Sequence, residues 1–489
     1  MRSALPLLLV VILGGVVRAV PFMGSDFPLH DGGMFSVMAS ELLASGFTIP
    51  AETSFNDAGI PWVYPPLGVA IAAIGTAMFQ MEVVFRVLPF LYAVASVGVF
   101  YALARALRLP GHPAIAALAF ALIPHAYDWL ITGGGVTRGL GLVLAMGAVT
   151  SAVHLIRSPG WLRLVLTGVL GGLAVMTHPE AGAFAGLSVL VILIFEARRL
   201  PAVPWLVASG LVALVVAAPW WLNVVATHGI GILVDAGGTR FGLGALLIRL
   251  TSLRYTGAAH LLLDVFLLLG LVGTLHEIRQ GRWILPVWFL AIVAALPRGS
   301  DVYMTVPLAL MAAAAIEGVG IPLARANPRT GKALAGAVFA VALFGALSVP
   351  LNPAAPVDQI PRSDRQVMEE LRTSGLTEVA VLTGRPWWGE GPGEWFPAIS
   401  GIRNPTLTQG SEWLGAEVWQ QTQLLNYELQ RCSRISAECL RTWMVEHGIG
   451  HVFVSAGLGE EAFRSDLAAD EGLTTIRENG RTLLVELAD

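Results

Sequence analysis

The run Asp26-Phe27-Pro28-Leu29-His30-Asp31-Gly32-Gly33-Met34-Phe35 sets a histidine and an acid side by side at the end of an extended stretch. Met34, Phe35, Met38 and Leu42 follow at helical spacing, so a helix starts just after Asp31. A carboxylate there can cap that helix through its first backbone N–H groups. It can also take a proton from a hydroxyl as a general base. The residues alone leave both roles open.

A second cluster is Gly133-Gly134-Gly135-Val136-Thr137-Arg138, with Arg138 opening a helix. A glycine run, a helix N-terminus and an arginine together suit a phosphate cradle. The same glycines also suit a bare turn between two helices. No acid lies within a helical turn of Arg138, since Asp128 is ten residues earlier. Thr177-His178-Pro179-Glu180 offers two polar groups at a tight turn, as helix caps or as ligands for a metal or a phosphate-bearing head group. H-x-E without a third ligand nearby is a weak metal signature, so no divalent metal is supported. Glu82 stands one turn before Arg86 and Asp301 close to Arg298, and local ion pairing is the simple reading of both. Arg240, Arg249 and Arg254 share one long connecting segment. There is no Walker loop, dinucleotide fingerprint, metalloprotease helix or nucleophile elbow.

The elements that position these groups follow from composition. The 489 residues are 55% hydrophobic and 13% charged, with a net charge of -4. Mean hydropathy is +0.69. An ordinary soluble domain carries about 25% charged residues. A disordered chain, a disulfide-rich miniprotein and a nucleic-acid binder are therefore excluded. Charge is uneven: residues 1–350 hold 14 acids and 19 bases, whereas residues 351–489 hold 20 acids and 11 arginines. Lys332 is the only lysine. The first part reads as membrane and the second as a soluble, acidic unit.

A membrane-spanning helix needs about 20 mostly apolar residues. Eleven spans are expected, at 4–22, 84–107, 113–127, 138–156, 161–177, 181–198, 203–222, 257–277, 283–297, 303–324 and 333–350. The short apolar stretch 65–79 follows two prolines and reads as an interfacial helix. With the N-terminus inside, the inner segments collect Arg2, Arg105, Arg108, Arg157, Arg163, Arg198, Arg199, Arg279, Arg282, Arg325, Arg329 and Lys332, offset only by Glu196 and Glu277. That bias fixes the expected orientation in the cytoplasmic membrane and puts the C-terminal unit outside. Residues 4–17 read as an uncleaved first span, because no small-x-small cleavage site follows them. Two long outer segments result, 23–83 and about 223–256, and long loops between packed elements tend to carry function.

Residues 351–489 show helix signals at 363–374, 414–430, 437–447 and 460–469, and strand signals at 378–383, 450–455 and 481–487. This is a small α/β unit after a Pro-containing linker. Cys432 and Cys439 are the only cysteines. A disulfide is the preferred reading outside the membrane, over a metal pair that no histidine at ligand spacing would complete. The fold class expected is an α-helical polytopic membrane protein of about eleven transmembrane helices with a C-terminal soluble α/β domain.

With these parts assembled, residues 1–350 resemble the GT-C superfamily of polyprenyl-phosphate-sugar-dependent glycosyltransferases. They are most similar to glycosyltransferase family 39, which holds protein mannosyltransferases and aminoarabinose transferases. The resemblance rests on a single span before a long acidic loop, Tyr64-Pro65-Pro66-Leu67, Glu82, Arg86 and Pro89, the Thr177 to Glu180 turn, and Pro219-Trp220-Trp221. It implies transfer of a sugar from a polyprenyl-phosphate donor to an acceptor at the outer face, with inversion and with Asp31 as general base. It implies that the lipid phosphate and substrate are met by His30, Tyr64, Arg86, Arg138, His178, Glu180, Arg240, Arg254 and Arg298. Three departures stand out. The family often has Asp-Glu where this chain has Asp31-Gly32, and Lys where Tyr64 stands, and the spacing from Arg86 to Pro89 is one residue longer. Glu394-Trp395-Phe396-Pro397 and Gly410-Ser411-Glu412-Trp413 are similar to uncharacterised bacterial relatives. The acceptor, whether glycan, lipid or protein, is not specified. The rival readings are a transporter or lipid flippase, which predicts paired repeats with helices broken at the midplane, and a non-catalytic envelope assembly protein.

Overall fold

The structure, a computed structural model, describes residues 4–109, 111–196, 201–238, 265–296, 300–351 and 355–488. Arg240, Arg249, Arg254 and Arg298 lie outside the described residues.

The chain opens with α1 (Ala4–Ala19), and after a loop forms α2 (Gly33–Ala44) and α3 (Pro66–Thr76). The helices α4 (Met81–Leu107), α5 (Pro113–Leu122), α6 (Gly135–Arg157), α7 (Trp161–Thr177), α8 (Pro179–Phe195) and α9 (Val203–His228) follow. Further helices cover Val265–Arg279, Ile284–Ala295 and Pro328–Leu347, and a near-continuous one runs over Asp301–Ala326 through a π turn at Ile316–Gly320. Among the described residues a helix overlaps each of the eleven expected spans, residues 197–198, 257–264 and 297 lying outside them. Six are long and apolar enough to cross a membrane unaided: Leu5–Phe22, Met81–Leu107, Gly135–Arg157, Val203–His228, Asp301–Ala326 and Pro328–Leu347. The chain is a multi-pass membrane protein.

Apolar residues are distributed as a bilayer requires. α9 leaves Val207, Leu211, Leu214 and Val215 exposed, and α1 leaves Leu5, Leu8, Leu9 and Ile12 exposed. Such faces need a hydrocarbon solvent. The opposite faces of α1, α4, α5 and α6 close around Val97, Phe100, Phe120, Leu142 and Met146. Arg18 is wholly buried there, donating to the Gly14 and Ala121 carbonyls at 3.2 and 2.9 Å beneath the Tyr127 ring. α3 is capped by Pro65 and starts at Pro66, whose fixed φ suits a first helical position. Its 11 residues reach only about 16 Å at 1.5 Å per residue, well short of a bilayer core.

The first loop carries the short antiparallel pair β1 (Glu52–Thr53) and β2 (Ile60–Pro61), and the C-terminal α/β unit a four-stranded sheet in the order β3 (Ala380–Leu382), β4 (His451–Val454), β6 (Thr482–Leu487), β5 (Leu473–Asn479). β3 and β4 are parallel and the remaining pairs antiparallel. Cys432 and Cys439 are disulfide-bonded, with Cα atoms 5.3 Å apart. The sheet does not stand apart from the first loop. Phe27 packs edge-on to Trp395, at 4.7 Å between centroids, within a core that also holds Phe396 and Phe453. Leu407 joins Met34, Phe35 and Trp62 in another. Leu29 bridges to Gln359, and the Asn56 side chain exchanges hydrogen bonds with the Asn404 backbone at 3.1 and 2.6 Å. The loop that carries Asp31 is thus clamped between α6 and the α/β unit.

Candidate active site

Asp31 ends the extended stretch, buried, immediately before the turn into α2. Its Oδ2 receives Arg138 Nη2 at 2.6 Å, and its Oδ1 receives the Gly134 N–H at 2.8 Å. Burial opposes the charged form, but Arg138, His30 and hydrogen bonds from Thr132 and Arg138 hold the carboxyl below the ordinary range. Asp31 is therefore an ionised, oriented carboxylate at neutral pH.

Asp31 does not cap α2. That duty falls to Glu394, whose Oε1 accepts from Gly32 N at 3.0 Å and more distantly from Met34 N at 3.5 Å. Nor is Arg138 without an acid. The helix-turn count missed Asp31 because it comes from a segment 107 residues away. Arg138 is fixed on three sides: Nη2 also donates to Thr132 Oγ1 at 2.8 Å, Nε donates to the Trp129 carbonyl at 3.2 Å, and the guanidinium lies over the Trp129 ring. Nη1 makes no hydrogen bond among the described residues.

The glycine run is not an open phosphate cradle. Gly133 N donates to Leu29 O, Gly134 N to Asp31 and Gly135 N to Thr132 O. Its purpose is close approach. A Cβ on Gly133 would lie 2.0 Å from the Asp31 carbonyl, and one on Gly135 1.9 Å from the Leu130 carbonyl. The glycines let the loop backbone dock directly on the start of α6.

His30, at a left-handed φ of 55°, turns its ring edge-on to Trp129 and sets Nδ1 2.5 Å from Asp358 Oδ1. Burial lowers the His30 pKa, yet Asp358 and Asp31 outweigh it and raise the imidazole above its ordinary value. Arg385 Nη1 holds the other Asp358 oxygen at 3.3 Å. Tyr64 lies 3.1 Å from Thr137 Oγ1 and sits between the Phe35 and His178 rings. Burial, assisted by the Glu180 and Asp31 charges, pushes its phenol far up, so it is a neutral hydroxyl. The carbonyl of Val63 beside it accepts from Trp220 Nε1 at 2.8 Å, which gives Pro219-Trp220-Trp221 a positioning role.

The structure thus brings His30, Asp31, Tyr64, Arg138 and His178 together, with Glu180 within electrostatic reach. Arg86 is different: Nη2 donates to the Ser25 carbonyl at 2.6 Å, and no Glu82–Arg86 ion pair forms among the described residues. It braces the start of the loop. Arg240, Arg254 and Arg298, expected at the phosphate, fall outside the described residues. Among those described, no group of three His, Cys, Asp or Glu is arranged to hold a metal ion. Trp129, Thr132 and Asp358 are not among the residues that the sequence singles out, and Thr137 enters only as part of the glycine run. Trp129 and Thr132 stand just before the glycine run, which was their only signal.

Residues 63–223, about a third of the chain, match a family model described as dolichyl-phosphate-mannose-protein mannosyltransferase. No curated protein matches the sequence. Among solved structures, ArnT from Cupriavidus metallidurans bound to undecaprenyl phosphate is similar over 99% of this chain and 97% of that one, at 15% identity and a TM-score of 0.53. The archaeal oligosaccharyltransferase AglB from Archaeoglobus fulgidus, in complex with an inhibitory peptide and a dolichol-phosphate, aligns with 92% of this chain and 69% of its own, at 13% identity and a TM-score of 0.55. The arabinofuranosyltransferase AftD from Mycobacteria aligns with 98% of this chain but 41% of its own, at 16% identity and a TM-score of 0.51. At these identities the likeness is one of fold.

Proposed function

We propose that this GT-C-fold membrane protein is a glycosyltransferase that moves a sugar from a polyprenyl-phosphate donor to an acceptor hydroxyl at the outer face of the cytoplasmic membrane. One observation carries the reading: a buried, ionised Asp31 is locked to Arg138, whose Nη1 remains available to an anion. Arg138 and Tyr64 lie within the segment that matches the mannosyltransferase model, and Asp31 is delivered to them from the preceding loop.

The reaction is a single displacement. The acceptor oxygen attacks the anomeric carbon, the bond from that carbon to the phosphate oxygen breaks, and configuration inverts. Asp31 takes the acceptor proton as the attack develops. The lipid phosphate departs with the bonding electrons, its charge met by Arg138 and by His30, whose protonated form Asp358 favours. Arg240, Arg254 and Arg298 belong to the same proposal. Tyr64 donates as a neutral hydroxyl. The apolar faces of the bundle hold the polyprenyl chain. The bound lipids of the two structural neighbours support the choice of donor class. The ionisable groups of the site lie on the first loop and in the first turns of α6 and α8 rather than at a break within a helix, which favours transfer over transport.

The decisive experiment incubates purified protein with a panel of polyprenyl-phosphate sugars and follows release of lipid phosphate. Release with one donor, dependent on Asp31, is expected. No release from any donor, with intact folding, would sink the proposal.

A further inference from the structure

Beside Asp31 stands a second buried carboxyl, and it comes from the far end of the chain. Glu394 lies in the first turn of the helix Gly391–Ser400. It is 6% exposed. Its Oε1 takes the Gly32 N–H and reaches the Met34 N–H, across 362 and 360 residues of sequence. Its Oε2 makes no hydrogen bond among the described residues. The backbones around it interlock. Gly32 has a φ of +123°, and a Cβ there would meet Gly133 Cα at 2.8 Å. A Cβ on Gly33 would lie 2.4 Å from the Glu394 carbonyl. No side chain fits at position 32, so any second acid at this point must arrive from elsewhere. With α2 capped by Glu394, Asp31 is released from capping and turns to Arg138.

We propose that Glu394 is a positioning residue of the site: its carboxyl caps α2, aims Asp31 at Arg138 and the acceptor, and makes the α/β unit a working part of the active centre. The proposal rests on Asp31 as the general base. The groups that face Glu394 are Asp31 and His30 on the loop and Arg138 on α6, and the neighbouring acid Glu390 precedes its helix. Burial first, then the Asp31 charge, pushes its carboxyl up to about 8. At neutral pH it is therefore an uncharged acid that keeps the surroundings of Asp31 free of a second negative charge. Above pH 8 it ionises, competes with Asp31 for Arg138 and His30, and repels an anionic donor. Glu390 is raised to about 8 as well, but its oxygens meet Asn426 and Gln430 at 2.5 and 3.2 Å, away from the loop.

Three readouts test this. In transfer assays, Glu394→Ala should lose about ten- to hundredfold in kcat with donor KM little changed, as expected for loss of an orienting contact. Glu394→Gln, which keeps an acceptor oxygen, should lose less than about tenfold and should lack the fall in kcat as pH rises through 8. Glu390→Gln should retain that fall. The activity-independent readout is the melting temperature of wild type against Glu394→Gln from pH 4 to 9. A folded-state pKa raised from 4.5 to about 8 gives stability that is present below 4.5 and lost as pH rises through 8. Wild type should therefore drop relative to the glutamine variant across that window. A gap that does not move with pH overturns the placement of the carboxyl. A moving gap with unchanged kcat and an unchanged pH profile in both variants overturns the positioning role. Wild type without turnover, but with the moving gap, faults the glycosyltransferase reading and leaves the Glu394 contact standing.

Discussion

Asp31 and Arg138 form a hydrogen-bonded ion pair on which the proposed chemistry turns, and each can be removed separately. Asp31→Asn is nearly isosteric and keeps an oxygen for the Gly134 N–H, so folding should survive. The proton acceptor is lost, and transfer should fall by roughly 10²–10⁴-fold. Normal turnover in this variant would leave Asp31 with only its structural bonds to Gly134 and Arg138. Arg138→Ala would remove the proposed charge-assisted contact to the leaving phosphate, at about 1.5–3 kcal/mol or roughly ten- to hundredfold in kcat/KM for donor. Arg138→Lys should recover only part, since a point charge cannot hold Asp31, Thr132 and an anion in one fork. A pH signature accompanies the loss. Arg138 depresses the Asp31 pKa, so without it the carboxylate should protonate at higher pH and the acid limb of kcat/KM should move upward. An unmoved acid limb together with unaltered donor dependence would show that Arg138 only braces the loop.

At the scale of elements, the glycine run is where the loop meets α6, and two neighbouring glycines separate packing from chemistry. Gly133→Ala drives a methyl into the Asp31 carbonyl, which is backbone and cannot yield cheaply. A loss of about 1–3 kcal/mol in stability is expected, read by the melting temperature. Gly134→Ala meets the Arg138 and Asp31 side-chain ends at 2.7 Å, which can swing apart. It should cost activity more than stability, and the reverse order in the two variants would refute the docking account. The sequence made some of these elements plain and concealed others. The apolar runs of α4 and α6 to α9 announced themselves by length and hydropathy, and Pro65-Pro66 marked the short α3. The helix Gly391–Ser400 was missed because two prolines and two glycines in ten residues read as breakers. β5 was missed because most of its residues are exposed and its pattern does not alternate cleanly. The site was half legible for a related reason. Asp31, His30 and Arg138 stand beside glycines that flag a special backbone. Glu394 and Asp358 act on the loop of His30 and Asp31 from more than 300 residues away, and no local pattern reports such a contact.

For the whole molecule, the remaining question is which side the site faces. Of the two acids among the expected inner arginines, Glu196 pairs with Arg157 at 2.7 Å and Glu277 with Arg282 at 2.7 Å. Each therefore neutralises one particular arginine, and the rest of the basic set keeps its topogenic charge. The eleven spans expected from the sequence, an odd number, would send the C-terminal unit to the side opposite the N-terminus. The disulfide Cys432–Cys439 belongs in an oxidising compartment, which points the same way. Because the loop of Asp31 is bound to that unit through Leu29, Asn56 and Gly32, the site and the unit must share one side. A phosphatase active only outside the membrane, fused after Asp489, should therefore be active, and a reporter active only in the cytoplasm should be silent at the same point. A second pair of fusions in the short segment between α6 and α7, where Arg157 stands, should give the opposite result. The inverse pattern at both points would reverse the molecule, place Asp31 on the cytoplasmic side, and require a donor presented from within.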